Sequence, residues 1–118
     1  MKATIYCLLD SRNIPFYVGC TAQKLNTRLS MHKCDARQYL KGRNSAWFSG
    51  IEKSRVIVEN NFNVSITALE KFSGDKESLL KKEYQWYLKL KSFGLYLSNS
   101  RFQNKIRKAA AVAATNIY

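Results

Sequence analysis

Acidic side chains, proline and paired cysteines are all scarce in this 118-residue sequence. Asp and Glu number 8 against 20 Lys and Arg, a net charge of +12. That imbalance points to a polyanionic partner, with nucleic acid ahead of an acidic protein or an anionic membrane surface. Three cysteines, Cys7, Cys20 and Cys34, form an odd set without paired spacing, so a disulfide framework is not expected and a reducing, cytoplasmic compartment is the natural reading. A zinc site built from Cys20, His32 and Cys34 would lack a Cys-x-x-Cys knuckle, and buried thiols are the simpler reading. No apolar run approaches the roughly 20 residues that cross a bilayer. The start Met1-Lys2-Ala3 leads into a strand-like segment ending at Asp10, so neither signal peptide nor anchor is expected. Also absent are a Gly-rich phosphate loop ending in Gly-Lys-Ser or Gly-Lys-Thr, a Gly-x-Ser-x-Gly elbow, a His-Glu-x-x-His helix and an aromatic RNP signature.

What is present suits one modest globular core. Hydrophobic residues make up 46% of the chain and aromatics 13%, enough to fold despite the charge. Residues 3–9 and 14–20 are rich in β-formers and flank the polar stretch Asp10-Ser11-Arg12-Asn13, which predicts a hairpin. With those four residues as the turn, Leu9 pairs with Ile14 and Tyr6 falls directly opposite Tyr17, both phenols on one face. From about Lys24 the period becomes helical through Leu25, Leu29, Ala36 and Leu40, with Arg28 and His32 neighbours four residues apart. Residues 41–45 close that helix. Asn44 or Ser45 can cap a second one, beginning near Ala46 and carrying Trp47, Phe48 and Ile51. Residues 63–72 alternate as a third strand. Asp75 then caps a helix to about Lys91, with Glu77 in its first turn and Lys89 and Lys91 in its last. Ser92-Phe93-Gly94 ends it, residues 95–98 run extended, and Asn99 or Ser100 can cap a terminal helix with Arg101, Lys105 and Lys108 on one side.

Glu83 stands out. Leu79, Glu83, Trp86 and Leu90 share an apolar stripe, and a carboxylate there needs a cation or hydrogen bonds to hold its charge. Metal ligand and charged partner are therefore live readings, beside that of a boundary glutamate reaching solvent or a lysine. Tyr6 and Tyr17 are individually unremarkable strand tyrosines. Arg28 and His32 form either a phosphate-facing helix edge or an ordinary solvated one.

Taken together, Thr4-Ile5-Tyr6, then Tyr17-Val18-Gly19, then Leu25-Asn26-Thr27-Arg28-Leu29-Ser30-Met31-His32 resemble the front half of a GIY-YIG nuclease. Glu83 falls where that family places its metal ligand. Thr4 replaces the family's first glycine and Val18 its isoleucine, both at packing positions. The order β-β-α-α-β-α with a late asparagine, Asn99, is similar too. The resemblance implies an α+β fold, a small three-stranded antiparallel sheet flanked by helices, over residues 1–99. Residues 100–118 would form a basic helix or tail extending the same domain.

The resemblance also implies divalent-metal hydrolysis of a DNA phosphodiester to 5′-phosphate and 3′-hydroxyl ends. Glu83 would hold Mg²⁺ or Mn²⁺. Tyr6 would act as general base, its pKa of about 10 lowered by nearby cations. Arg28 would stabilise the transition state, Tyr17 and His32 would position the phosphate or assist proton transfer, and Asn99 would fix local geometry. Lys24, Lys33, Arg37 and Lys41, with Arg101, Lys105 and Lys108 of the terminal helix, are the expected contacts to double-stranded DNA, and affinity should fall steeply with salt. Neither a membrane nor a small-molecule cofactor is implied. Two rival readings keep the charge without the chemistry: a catalytically inactive nucleic-acid-binding module on the same scaffold, and a basic structural protein of a ribonucleoprotein particle.

Overall fold

A computed structural model of the chain describes residues 2–42, 51–99 and residue 102. The element order is β1 (Lys2–Leu9), β2 (Pro15–Thr21), α1 (Leu25–Leu40), α2 (Ile51–Glu59), β3 (Ser65–Ser73) and α3 (Lys76–Lys91). The strands form one antiparallel sheet in the order β2-β1-β3, which is the α+β arrangement anticipated above. The proposed start of the second helix, with Asn44, Ser45, Ala46, Trp47 and Phe48, and the terminal helix beyond Phe102 lie outside the described residues. Among the described residues no helix is long and apolar enough to cross a membrane.

Central strand β1 is buried on both faces, because helices cover each side of the sheet. Ile5 and Cys7 pack with Val18, Tyr87, Leu90, Leu97 and Phe102 on the α3 side. Tyr6 and Leu8 pack with Phe16, Ala36, Ile57 and Val64 on the α1 and α2 side. Strand alternation thus sends Tyr6 towards α1 and its neighbours Ile5 and Cys7 towards α3.

The hairpin register differs from the expected one: Tyr6 pairs with Gly19, and Tyr17 pairs with Leu8. Two local features cause the difference. Asp10 Oδ1 accepts from the Arg12 and Ile14 amides at 2.8 and 3.0 Å, and Asn13 adopts φ 62°, which confines the tight turn to Ser11-Arg12-Asn13. A bulge then inserts Phe16 between the partners of Leu8 and Leu9. The net slip is two residues, so both phenols keep their face. Their rings stand 6.5 Å apart, tilted rather than opposed. A second irregularity inserts Leu69 of β3 between the partners of Ile5 and Tyr6. Bulges re-aim side chains next to active sites, and Tyr6 lies beside this one.

Helix α3 starts as anticipated, with Asp75 Oδ1 accepting from the Ser78 amide at 2.7 Å. Its buried face is Leu79, Glu83, Tyr87 and Leu90. Tyr87 takes the place of Trp86 on the fully buried stripe; Trp86 packs at the edge of the core and its indole donates to Glu70 Oε1 at 3.0 Å. In α1 the expected stripe fails at its end, where Leu40 is 62% exposed. Of the three thiols only Cys7 is buried, while Cys34 is exposed. Residues 95–99 form no strand, yet they cover the outer edge of β2. The Ser98 amide and hydroxyl both donate to the Phe16 carbonyl, at 2.7 and 2.9 Å.

Candidate active site

The site grows from a missing side chain. Gly19 stands opposite Tyr6, and the phenol lies over it: a Cβ added there would be 2.9 Å from Tyr6 Cε1 and closer still to Cζ and the hydroxyl. A glycine inside a strand marks such close approach. The Tyr6 ring can therefore cross β2 and bring its hydroxyl to that edge of the sheet.

Helix α1 supplies the polar partners. Arg28 Nε donates to the Tyr6 hydroxyl at 3.2 Å, and His32 Nε2 lies 2.7 Å from the same oxygen. Tyr17 meets His32 edge-on, with 5.4 Å between ring centroids. His32 is fully buried, and its Nδ1 has no hydrogen-bond partner. The direction of the Tyr6–His32 bond follows the His32 tautomer: the protonated phenol donates to Nε2, whereas once Tyr6 is ionised a proton on Nε2 donates to its oxygen. The Tyr6 oxygen is in that case met by two N–H groups, the arrangement that favours a phenolate.

Glu83 approaches from α3 on the other side of the sheet. It is 8% exposed, and its charge bears on both the Tyr6 hydroxyl and the Cys20 thiol, which bracket Gly19. Asn99 completes the edge of β2: Val18 N donates to its Oδ1 at 3.0 Å, and its Nδ2 donates to Val18 O at 2.6 Å. That clamp holds the middle of Tyr17-Val18-Gly19 by its backbone.

Electrostatics within the site are sharply polarised. Burial pushes the Tyr6 phenol well above the ordinary tyrosine range, and Tyr17 and Glu83 add to it, while Arg28 pulls the other way. Arg28 lowers this phenol as expected, but burial outweighs Arg28 acting alone. Burial, then the charges of Lys53 and Arg28, lower the His32 imidazole to about 3, so it is neutral at physiological pH. For Arg28 burial works against the charge, but the Tyr6 and Tyr17 phenols and Asp35 outweigh it and raise the guanidinium.

Tyr6, Tyr17, Arg28, His32, Glu83 and Asn99 are therefore gathered around one stretch of β2. The expected DNA contacts are more scattered. Lys24 is the N-cap residue of α1, one turn before Arg28 on the same edge. Lys33, Arg37 and Lys41 follow each other at four-residue spacing on a different side of the helix, with Arg37 stacked 5.7 Å from the Phe62 ring centroid. Arg101, Lys105 and Lys108 lie outside the described residues. Cys20, His32 and Cys34 are not gathered into a group that could hold a metal ion.

A family model of the GIY-YIG catalytic domain matches residues 2–96. The chain belongs to the GIY-YIG family. No curated protein and no solved structure matches it. Membership makes this a nuclease domain acting on nucleic acid, of a family that generally uses divalent metals. This GIY-YIG domain has no group of three or more His, Cys, Asp or Glu side chains that could cage a metal among its described residues. A magnesium-like ion needs no cage: it keeps several waters and is held by one or two carboxylates plus substrate phosphates. Glu83, a single buried carboxylate whose charge is felt at the Tyr6 phenol, fits that donor set.

Sequence reasoning missed Lys53 of α2, which is 5% exposed and stands 5.6 Å from the Tyr17 ring centroid. Its spacing of four from Ile57, also buried, was the available signal. Sequence reasoning also gave Gly19 no role; that role becomes visible only with the Tyr6 ring above it.

Proposed function

We propose that this GIY-YIG domain is a divalent-metal-dependent DNA endonuclease that leaves 5′-phosphate and 3′-hydroxyl ends. The observation that carries the reading is the convergence on one phenol oxygen. Arg28 Nε and His32 Nε2 contact it directly, and the charge of Glu83 reaches it from the opposite side of β2.

Glu83 would hold Mg²⁺ or Mn²⁺, and the chemistry such an ion supplies is Lewis-acid polarisation of the phosphate with added positive charge beside Tyr6. Tyr6 is the general base. As phenolate, held by the N–H groups of Arg28 and His32, it takes a proton from the water that attacks phosphorus. The new P–O bond forms as the bond to the 3′ oxygen breaks, and that oxygen takes a proton from solvent. Arg28 uses Nε for Tyr6 and Nη1 makes only a long contact to Met31 Sδ at 4.0 Å, so its Nη groups can turn to the phosphate oxygens that gain charge in the transition state. Tyr17, packed on His32, lines the phosphate's seat. Asn99 acts through Val18, keeping Gly19 where the Tyr6 ring needs it. Lys24 holds the duplex backbone next to the reacting phosphate, while Lys33, Arg37 and Lys41 meet phosphates further along.

Incubating an end-labelled duplex with the chain and Mg²⁺, beside an EDTA control, tests this reading. Metal-dependent fragments that DNA ligase can rejoin support it. Binding without cutting under every metal tried would instead favour a catalytically inactive nucleic-acid-binding module.

A further inference from the structure

Lys53 is the buried charge that the nuclease chemistry above does not use. Lysine is almost never fully buried unless paired, yet this one is 5% exposed. Its Nζ donates to Asp35 Oδ2 of α1 at 3.3 Å and stands 5.6 Å from the centroid of the Tyr17 ring. Tyr17 packs edge-on against His32, and His32 contacts the Tyr6 hydroxyl. A continuous line of contact therefore runs from Asp35 through Lys53, Tyr17 and His32 to the reacting phenol. Asp35 offsets part of the burial that lowers the Lys53 ammonium, so the ion pair keeps a charge inside the domain that burial alone would discharge.

We propose that Lys53 is a positioning residue: tethered by Asp35, its ammonium seats the Tyr17 ring against His32. His32 is faced by Tyr6 from β1, Tyr17 from β2, Lys53 from α2 and Arg28 from its own helix. The two cations in that set both oppose a proton on the ring. The inference rests on the nuclease reading for its effect on rate, and on geometry alone for its effect on His32.

His32 is the single histidine of the chain, so its ring protons give one NMR signal to titrate. Lys53→Met keeps length and apolar volume while removing the charge, and the partner left behind is not a buried one. Asp35, with 41% of its side chain exposed, remains solvated. In the full chain, Lys53→Met should raise the His32 protonation midpoint by about one unit. It should also lower kcat for plasmid nicking about tenfold, with KM within about twofold of the parent. Lys53→Arg, which restores the cation, should return both close to parent values. If Lys53→Met does not fold, Lys53→Gln gives the same two readouts. A His32 midpoint unmoved by loss of the charge, an unmoved kcat, or a Lys53→Arg variant as impaired as Lys53→Met overturns the proposal. A parent chain that nicks no DNA defeats the nuclease reading by itself, and the His32 titration then still decides the role of Lys53.

Discussion

Gly19→Ala is the smallest substitution that should disable the site, and its effect can be worked from the structure. The added methyl would overlap Tyr6 Cζ and its hydroxyl and stand 2.9 Å from Cε1. Ordinary carbon contacts are about 3.5–4.0 Å, so the ring must withdraw by roughly 1 Å. Tyr6 is fully buried between β2 and α1, leaving it little room to move. Overpacking of this kind costs about 1–3 kcal/mol. Withdrawal also pulls the hydroxyl from Arg28 Nε and His32 Nε2, and a misplacement of about 1 Å at a reacting centre costs about 10²-fold in rate. Urea unfolding of Gly19→Ala, Tyr6→Ala and the double variant separates the clash from any intrinsic effect of alanine in the strand. The loss seen in the parent should largely vanish once Tyr6 is removed, giving a coupling of about 1–3 kcal/mol. A Gly19→Ala chain as stable and as active as the parent, or a loss that persists unchanged without Tyr6, would refute the reasoning.

Cleavage should speed up as pH rises, close to tenfold per unit from neutrality upward, because the Tyr6 phenol sits above its ordinary range and the reactive phenolate grows as its proton is removed. A pH profile of kcat/KM that is flat between neutrality and the alkaline limit of stability would argue against Tyr6 as base. Asn99→Ala strips both hydrogen bonds from the Val18 backbone and should cost about 2–3 kcal/mol in urea unfolding, with activity falling alongside. Asn99→Asp keeps the acceptor for Val18 N but loses the donor to Val18 O, so it should recover only part of that loss.

Much of the fold could be read from local signals. Asp75 and the polar break before it mark the start of α3 because a capping side chain is a short-range property. The helical period after Lys24 marks α1 for the same reason. The hairpin register could not be read this way: it depends on an αL turn residue, Asn13, and on a bulge at Phe16, neither of which alters the hydrophobic pattern. Since the error was two residues, parity saved the prediction that both phenols share a face. Trp86 and Tyr87 are adjacent aromatics, so the hydrophobic pattern does not decide which lies deeper; Tyr87 is fully buried and Trp86 partly so. That Tyr6, Tyr17, Arg28 and His32 come together could be read from the motif strings, but the direction of the Tyr6 shift could not. Opposing effects of burial and Arg28 can be weighed only once the depth of the phenol is known. Lys53 was hidden by its type, since a lysine on a helix is ordinarily assigned to solvent.

The central claim is that Glu83 and Tyr6, from opposite sides of one sheet edge, act together in metal-dependent hydrolysis. Plasmid nicking in Mg²⁺ by the parent, Glu83→Gln and Tyr6→Phe, with DNA affinity measured in parallel, tests it most directly. The account predicts that each variant loses at least about 10²-fold in nicking rate while binding DNA within a few-fold of the parent. Either variant nicking at the parental rate would contradict it.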